Sequence, residues 1–407
     1  MQTTHTTQKA YIMAKKQLPD PLEIQRAEAA GFIFSEDKKV LLTCTNQEIT
    51  AAVIPRGITE IGAKAFKNCE RLTEINIPAG VTILGELAFA YCENLESAKI
   101  PNSVTEIREF AFAYCSKLTK VKIPSKLRIL GSRAFHTTNI KRVTIPGSVA
   151  EIGASAFSWC PNLCSVTIKD GVCKIGSEAF AFCETLSKVT ISESVTDIYC
   201  GAFEGCEKLT KVNIPQELTY ISDDLFHGCE ALKEINLPDG ITEIGNGSFA
   251  ICEKLTGINI PNKVKSIGKF AFRCCESINV IILPESVRKI GEGAFSCCKA
   301  LTEVVIPPQV TRIRKETFAY CKYLTGISLP DGITRIDDDA FIECEYLSAI
   351  KIPPAVTHIG KHSFYGCIRL NGVLMPPGVI SIAGNAFDFA ACEEQVKRFY
   401  SHLFVKD

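Results

Sequence analysis

Cysteine is the residue type in this chain whose number and spacing most invite chemistry. Twenty cysteines stand among 407 residues, and thirteen of them, running from Cys69 and Cys92 to Cys344 and Cys367, each follow a phenylalanine by three positions. Stacked at that interval, consecutive Cα atoms would lie about 5 Å apart, inside the range a disulfide spans. The simpler reading is a small buried hydrophobe beneath a turn. Thirteen is an odd number, and the repeat with Thr138 in this column closes up by deleting one residue, a gap that a column of redox bridges tolerates poorly. Cys274 and Cys297 precede Cys275 and Cys298, one position nearer solvent, and are the place for a disulfide or a metal pair.

Other reactive types are sparse. His358 and His362 make an H-x-x-x-H that straddles the Ile359–Gly360 turn, without the glutamate or third ligand a zinc site needs. Asp337, Asp338 and Asp339 are the nearest thing to a carboxylate cluster and read as a solvated turn. No G-x-S-x-G, Walker loop or dinucleotide fingerprint interrupts the sequence. An active site needs residues that occur once, and this chain has no insertion loop in which to place them, so no enzyme and no cofactor are expected. The rival class is a carbohydrate-active parallel β-solenoid enzyme, which would carry carboxylates on adjacent rungs.

The elements that position these residues follow from one period. Fifteen phenylalanines from Phe66 to Phe387 succeed one another every 23 residues, except for 22 between Phe135 and Phe157. A fixed period in the twenties marks a solenoid, in which each unit buries its apolar face against its neighbours. Counted from Phe66, apolar residues recur at Leu72, Ile75, Ile77, Val81 and Leu84. LTEINI alternates as a short strand does, and a proline, Pro78 in the first unit, closes it because it has no N–H to donate. VTILG reads as a second short strand. The glycine ending that segment gives way elsewhere to Arg108, Tyr199, Ser222 or Asp337, which argues against an obligatory positive φ. GELAFAYCENL suits a helical or 3₁₀ turn.

The flanks differ. Residues 1–19 read as a polar leader, with Met13 an alternative start. Residues 20–50 read as a cap, with a helix from Asp20 and Pro21 whose apolar side is Leu22, Ile24, Ala27 and Ala30, then a hairpin of Phe32–Phe34 and Val40–Leu42. The array spans 51–390, about 14 to 15 rungs, and 391–407, with Cys392, Val396, Phe399 and Leu403 at helical spacing, is a helical C-terminal cap. Lysine plus arginine equals aspartate plus glutamate at 45 each, so no global field draws the chain to nucleic acid or an anionic membrane. No apolar run is long enough for membrane insertion, and no export signal is legible, which with so many thiols points to the cytosol.

The unit with Ala-Phe, cysteine three later and proline at plus 12 (AFKNCERLTEINIP, AFAYCSKLTKVKIP, AFSCCKALTEVVIP) resembles the bacterial surface protein A, or BspA-like, type of leucine-rich repeat. The resemblance covers roughly residues 51 to 390. It implies a right-handed leucine-rich-repeat solenoid and an association with cell surfaces, adhesion to host matrix proteins and recognition by innate immune receptors.

Specificity in such an array belongs to the outward strand positions. Identical polar ladders there, Thr144, Thr167 and Thr190 then Asn213, Asn236 and Asn259, are structural. Lys99, Lys120, Lys122 and Arg142, with Lys188 and Lys211 further along, place like charges on neighbouring strands at a cost in stability, and read either as a solvated lysine face or as a strip that docks an acidic partner surface. Val280, Ile282 and Val305, beside Gly257 and Gly326 and with Leu374 beyond, read either as an apolar docking patch or as β-formers covered by flanking side chains. The expected function is non-catalytic protein recognition by a monomer.

Overall fold

The computed structural model describes residues 20–405, so the expected leader at 1–19 lies outside the described residues. The chain divides into two compact units, 1–197 and 198–407, and both repeat the same rung of a parallel β-solenoid.

The rung that begins at Phe66 explains the period. Cys69, Leu72, Ile75, Ile77, Val81, Leu84 and Phe89 are at most 2% exposed, so every apolar position of the repeat points inward. The first strand, Glu74–Asn76, alternates out, in, out. Pro78 then offers only its carbonyl, which accepts the Val81 N–H at 3.3 Å and turns the chain into the second strand, Ile83–Leu84. The remaining turn closes by successive i→i+3 hydrogen bonds, Ala88 to Gly85 at 3.2 Å, Ala90 to Leu87 at 3.1 Å and Cys92 to Phe89 at 3.3 Å. It does not run on as a helix because Leu87 and Tyr91 are left-handed, with φ of 56° and 62°.

Rungs stack in register. Glu74 pairs with Ser97 and Ile83 with Glu106, each 23 residues on, which gives one ladder per strand. A further ladder, not legible in the sequence, runs through the turns. The N–H groups of Lys64, Phe66 and Asn68 donate to the carbonyls of Glu86, Ala88 and Ala90 at 2.8, 2.7 and 2.9 Å. Alternating right- and left-handed residues aim every second N–H along the stack, so buried backbone donors find partners one rung away. The 22-residue repeat is absorbed unequally. Leu130 pairs with Ile152 and the second-strand ladder continues, whereas the first-strand ladder stops at Lys120–Val121 and restarts at Arg142–Ile145.

Phenylalanine forms the spine of each unit. Phe66 and Phe89 stack at 5.2 Å and 8°, Phe89 and Phe112 at 4.9 Å and 9°, and Phe272 and Phe295 at 5.5 Å with parallel planes. The glycine column behaves as its tolerance predicts in φ, since Gly85 is not left-handed. Its reason is close approach: a Cβ on Gly85 would lie 2.6 Å from the carbonyl carbon of Gly62.

The caps cover the ladder ends. Helix α1 (Pro21–Ala29) begins at Asp20, whose Oδ1 accepts the Leu22 N–H at 2.9 Å. Of its expected apolar side only Ile24 and Ala27 are buried, and Leu22 is 53% exposed, because at 3.6 residues per turn Leu22 and Ala30 rotate off that face. Strands β1 (Phe32–Phe34) and β2 (Val40–Cys44) pair antiparallel, and β2 lies parallel to Glu60–Ile61. Phe32 meets the Phe66 ring edge-on at 5.6 Å and ends that stack. At the other end, helix α2 (Glu393–Tyr400) buries Cys392 and Val396, while Phe399 is 63% exposed. The chain then adds a strand, Phe404–Val405, parallel to Ser381–Ala383. That strand covers the second ladder, a role the sequence had left to the helix alone.

Candidate functional site

The thiol column is structural, and more specific than a hydrophobe. No disulfide joins any of the twenty cysteines, all of which lie among the described residues. Eleven of the thirteen column thiols donate to the phenylalanine carbonyl of the preceding rung, among them Cys92 to Phe66 at 3.1 Å, Cys115 to Phe89 at 3.1 Å and Cys321 to Phe295 at 3.1 Å. Burial pushes the Cys92 thiol up to about 12 and Cys115 well above its ordinary value, so these sulfurs stay protonated and are not nucleophiles. Thr138 keeps a hydroxyl in the column, donating to Phe135 at 2.9 Å. Cys321→Ala should cost about 0.5 to 1.5 kcal/mol by removing one of the two donors to the buried Phe295 carbonyl, which keeps the Cys298 N–H at 3.2 Å. Cys321→Ser, which retains a donor, should cost less, as read by urea denaturation.

The aspartate run corrects the expectation of a solvated turn. Asp337 is 7% exposed, with Oδ2 at 2.7 Å from Arg312 Nε and Oδ1 at 2.9 Å from Arg335 Nε. Arg312 and Arg335 are register partners, so the second-strand ladder stacks two guanidinium groups and recruits the carboxylate between them. Asp338 accepts the Lys361 N–H at 2.9 Å, and Asp339 faces His362 at 3.4 Å. His362 contacts Asn385 and His358 contacts Thr357, so the two histidines serve separate partners. Among the described residues no group of three His, Cys, Asp or Glu is placed to hold a metal.

The outward positions of the first-strand ladder are open, as the alternation requires. In the first unit Lys99 reaches back to Glu74 at 2.8 Å and holds that carboxyl below its ordinary range. In the second unit Lys211 pairs with Glu234 at 3.4 Å. Those two charges are compensated within the protein. Lys120, Lys122, Arg142 and Lys188 are exposed and make no ion pair within 4.0 Å among the described residues. Lys120 and Arg142 flank the break in the ladder at the 22-residue repeat. In the second unit Ile282 is 79%, Val305 59% and Val280 54% exposed. Register places Ile281 opposite Val304, so Ile282 and Val305 are neighbours on one surface. Gly257 and Gly326 flank Val280 and Glu303 in the adjacent column, with open space where a Cβ would stand.

Sequence reading placed Cys274 and Cys297 nearer solvent but missed the aromatic residues that share their column, two residues after a phenylalanine. In the first unit it is aromatic: Tyr91 stacks on Tyr114 at 4.6 Å and Trp159 on Phe182 at 4.4 Å. Trp159 is half exposed and, with His136, Phe182 and Glu184, lines a shallow pocket of about 340 Å³. The signal was present in the sequence, but only the left-handed geometry of Tyr91, Tyr114, Trp159 and Phe182 turns this column outward.

The rung geometry has counterparts among known proteins. The sequence profile of the BspA type leucine rich repeat region matches residues 43–164, 150–279 and 265–395. The chain belongs to the BspA-type leucine-rich repeat family. A crystal structure of a leucine-rich repeat protein from Bacteroides ovatus is similar to this BspA-type chain, with 28% identity and a TM-score of 0.70 over 92% of this chain and 98% of that one. A leucine rich cell surface protein from Faecalibacterium prausnitzii is 28% identical with a TM-score of 0.50, covering 84% and 92% of the two chains. A leucine-rich repeat protein from Eubacterium ventriosum, at 20% identity and a TM-score of 0.52 over 86% and 88%, shares the fold. No curated protein matches the chain. The BspA-type membership makes this a leucine-rich-repeat scaffold of the protein-recognition kind. No helix among the described residues is long and apolar enough to cross a membrane.

Proposed function

We propose that this BspA-type chain is a non-catalytic recognition protein whose array, residues 51–390 between its two caps, binds another protein through the outward face of the first-strand ladder. The observation that carries the reading is the exposure of Ile282, Val305 and Val280 on strands whose inward positions are already filled. A branched apolar group gains little from water, and neighbouring ones on a flat surface offer a partner roughly 1.5 to 3 kcal/mol per buried side chain. Ile282→Ser with Val305→Ser should therefore lose a partner that the wild-type chain retains in cross-linking pull-downs, with the melting temperature nearly unchanged. A large fall in melting temperature would show these residues to be core and end the reading.

A second surface in the first unit is favoured by its uncompensated charge. Lys120, Lys122 and Arg142 fit an acidic partner surface, and reversing all three to glutamate should abolish capture of that partner and its salt dependence. Capture that survives the reversal removes this surface from the reading. The cell-surface protein of Faecalibacterium prausnitzii supports a surface location for this chain, and adhesion or host recognition is the finer role that the location would serve. Protease shaving of intact source cells tests it, since an exported chain is digested and a cytosolic one is protected. The rival reading as a carbohydrate-active enzyme finds little support, because the Asp337 carboxylate is occupied by Arg312 and Arg335.

A further inference from the structure

We propose that Cys274 and Cys297 form an oxidation site, a partly exposed dithiol on consecutive rungs that a peroxide converts to an intramolecular disulfide. The two residues hold the same position in successive turns, two after Phe272 and Phe295. Both are left-handed, with φ of 58° and 60°, and both are partly exposed. The turn ladder binds these rungs directly: Cys274 N–H donates to Ser296 O at 2.8 Å and Cys297 N–H to Ala319 O at 2.7 Å. Rungs so bonded lie about 4.8 Å apart, within the Cα separation of disulfides.

The side chains agree with the backbone. The neighbouring Cys274 thiol is the leading cause that holds Cys297 down to about 6, and Ser296, whose Oγ lies 3.7 Å from the Cys297 sulfur, Arg273 and Lys299 favour the anion further. Cys274 is pushed up by the same neighbour and stays protonated. Cys44 and Cys69 shift one another in the same opposite directions, but they are 2% and 0% exposed and closed to an oxidant. Cys173 and Cys200 are exposed, but neither has another accessible cysteine at its position on the next rung.

The chemistry balances with hydrogen peroxide as oxidant. The Cys297 thiolate attacks one peroxide oxygen, the O–O bond breaks, and sulfenic acid and hydroxide form. The Cys274 sulfur then attacks the sulfenic sulfur, the S–O bond breaks, and the hydroxyl departs as water with the Cys274 proton. Two sulfurs give up two electrons, and a proton from solvent converts the hydroxide to a second water. Ile282 and Val305 stand on the same two rungs, so the disulfide clips together the rungs that present the apolar patch. The thiol assignment does not depend on that patch binding anything.

The test is peptide mapping of the intact chain after hydrogen peroxide treatment, with free thiols blocked before digestion by trypsin. The expected product is peptide 274–288 joined to peptide 290–299, restored to separate thiol peptides by dithiothreitol. Cys274→Ser and Cys297→Ser should each abolish it, and Cys297 should be alkylated about ten-fold faster than Cys173 near neutral pH. The proposal is overturned if peroxide yields no joined peptide in the wild-type chain. Persistence in Cys274→Ser, which assigns the link to the buried Cys275 and Cys298, overturns it too, as does a link found only between two molecules on a non-reducing gel.

Discussion

Phe112→Ala is expected to destabilise the first unit by about 3 to 5 kcal/mol. Phe112 is 0% exposed, with Phe89 at 4.9 Å on one side and Phe135 at 5.2 Å on the other. Removing the ring leaves a gap between two parallel rings that cannot close. Their separation is set by backbone ladders, where the Phe112 N–H donates to Ala134 O at 2.8 Å and receives no freedom from a smaller side chain. The loss should appear in urea denaturation and as faster amide exchange in the neighbouring rungs, because a solenoid transmits damage through nearest-neighbour interfaces. Phe399→Ala is the matched control. That ring is 63% exposed, and its removal should change stability by less than about 0.5 kcal/mol. Equal losses at both sites would contradict a stack held by the phenylalanine spine.

Asp337→Ala should cost about 2 to 3 kcal/mol in the second unit. The carboxylate is nearly buried, accepts a hydrogen bond from Arg312 at 2.7 Å and pairs with the Arg335 charge at 2.9 Å. Without it, Arg312 and Arg335 face each other across one rung as like charges. Each arginine side chain is almost half exposed, so solvent screens part of that repulsion, which is why the cost falls below that of a fully buried pair. Raising the salt concentration should therefore recover part of the loss in Asp337→Ala and little in the wild-type chain. Lys99→Ala gives the contrast: its pair with Glu74 is 69% and 50% exposed, and its removal should stay within about 0.5 kcal/mol. A salt-independent loss at Asp337 would show a packing role in place of an electrostatic one.

Periodicity made the rung legible because each buried position recurs. Ile75, Ile77, Val81 and Leu84 declare two strands by alternation, and a 23-residue interval leaves parallel stacking as the way to bury them all. Asp20 and Pro21 likewise mark the first helix, since capping needs only neighbours in sequence. The outward placement of Lys120, Ile282 and Val305 also follows from a period of two. The closing strand Phe404–Val405 was not legible, because two residues carry no period and the pairing is made with Ser381–Ala383.

What the sequence by itself determined is therefore the repeat, its inward and outward columns and its family, all consequences of local pattern. The tertiary structure alone decided the rest, because those properties belong to contacts between rungs. Stacking at one interval turned Asp337 from a solvated aspartate into the clamp of Arg312 and Arg335, and gave Lys99 and Lys211 partners while leaving Lys120 and Arg142 without them. It also made the cysteine column a line of thiol donors to carbonyls. The left-handed turns, set by the need of buried N–H groups for acceptors one rung away, brought Cys274 and Cys297 to the surface side by side.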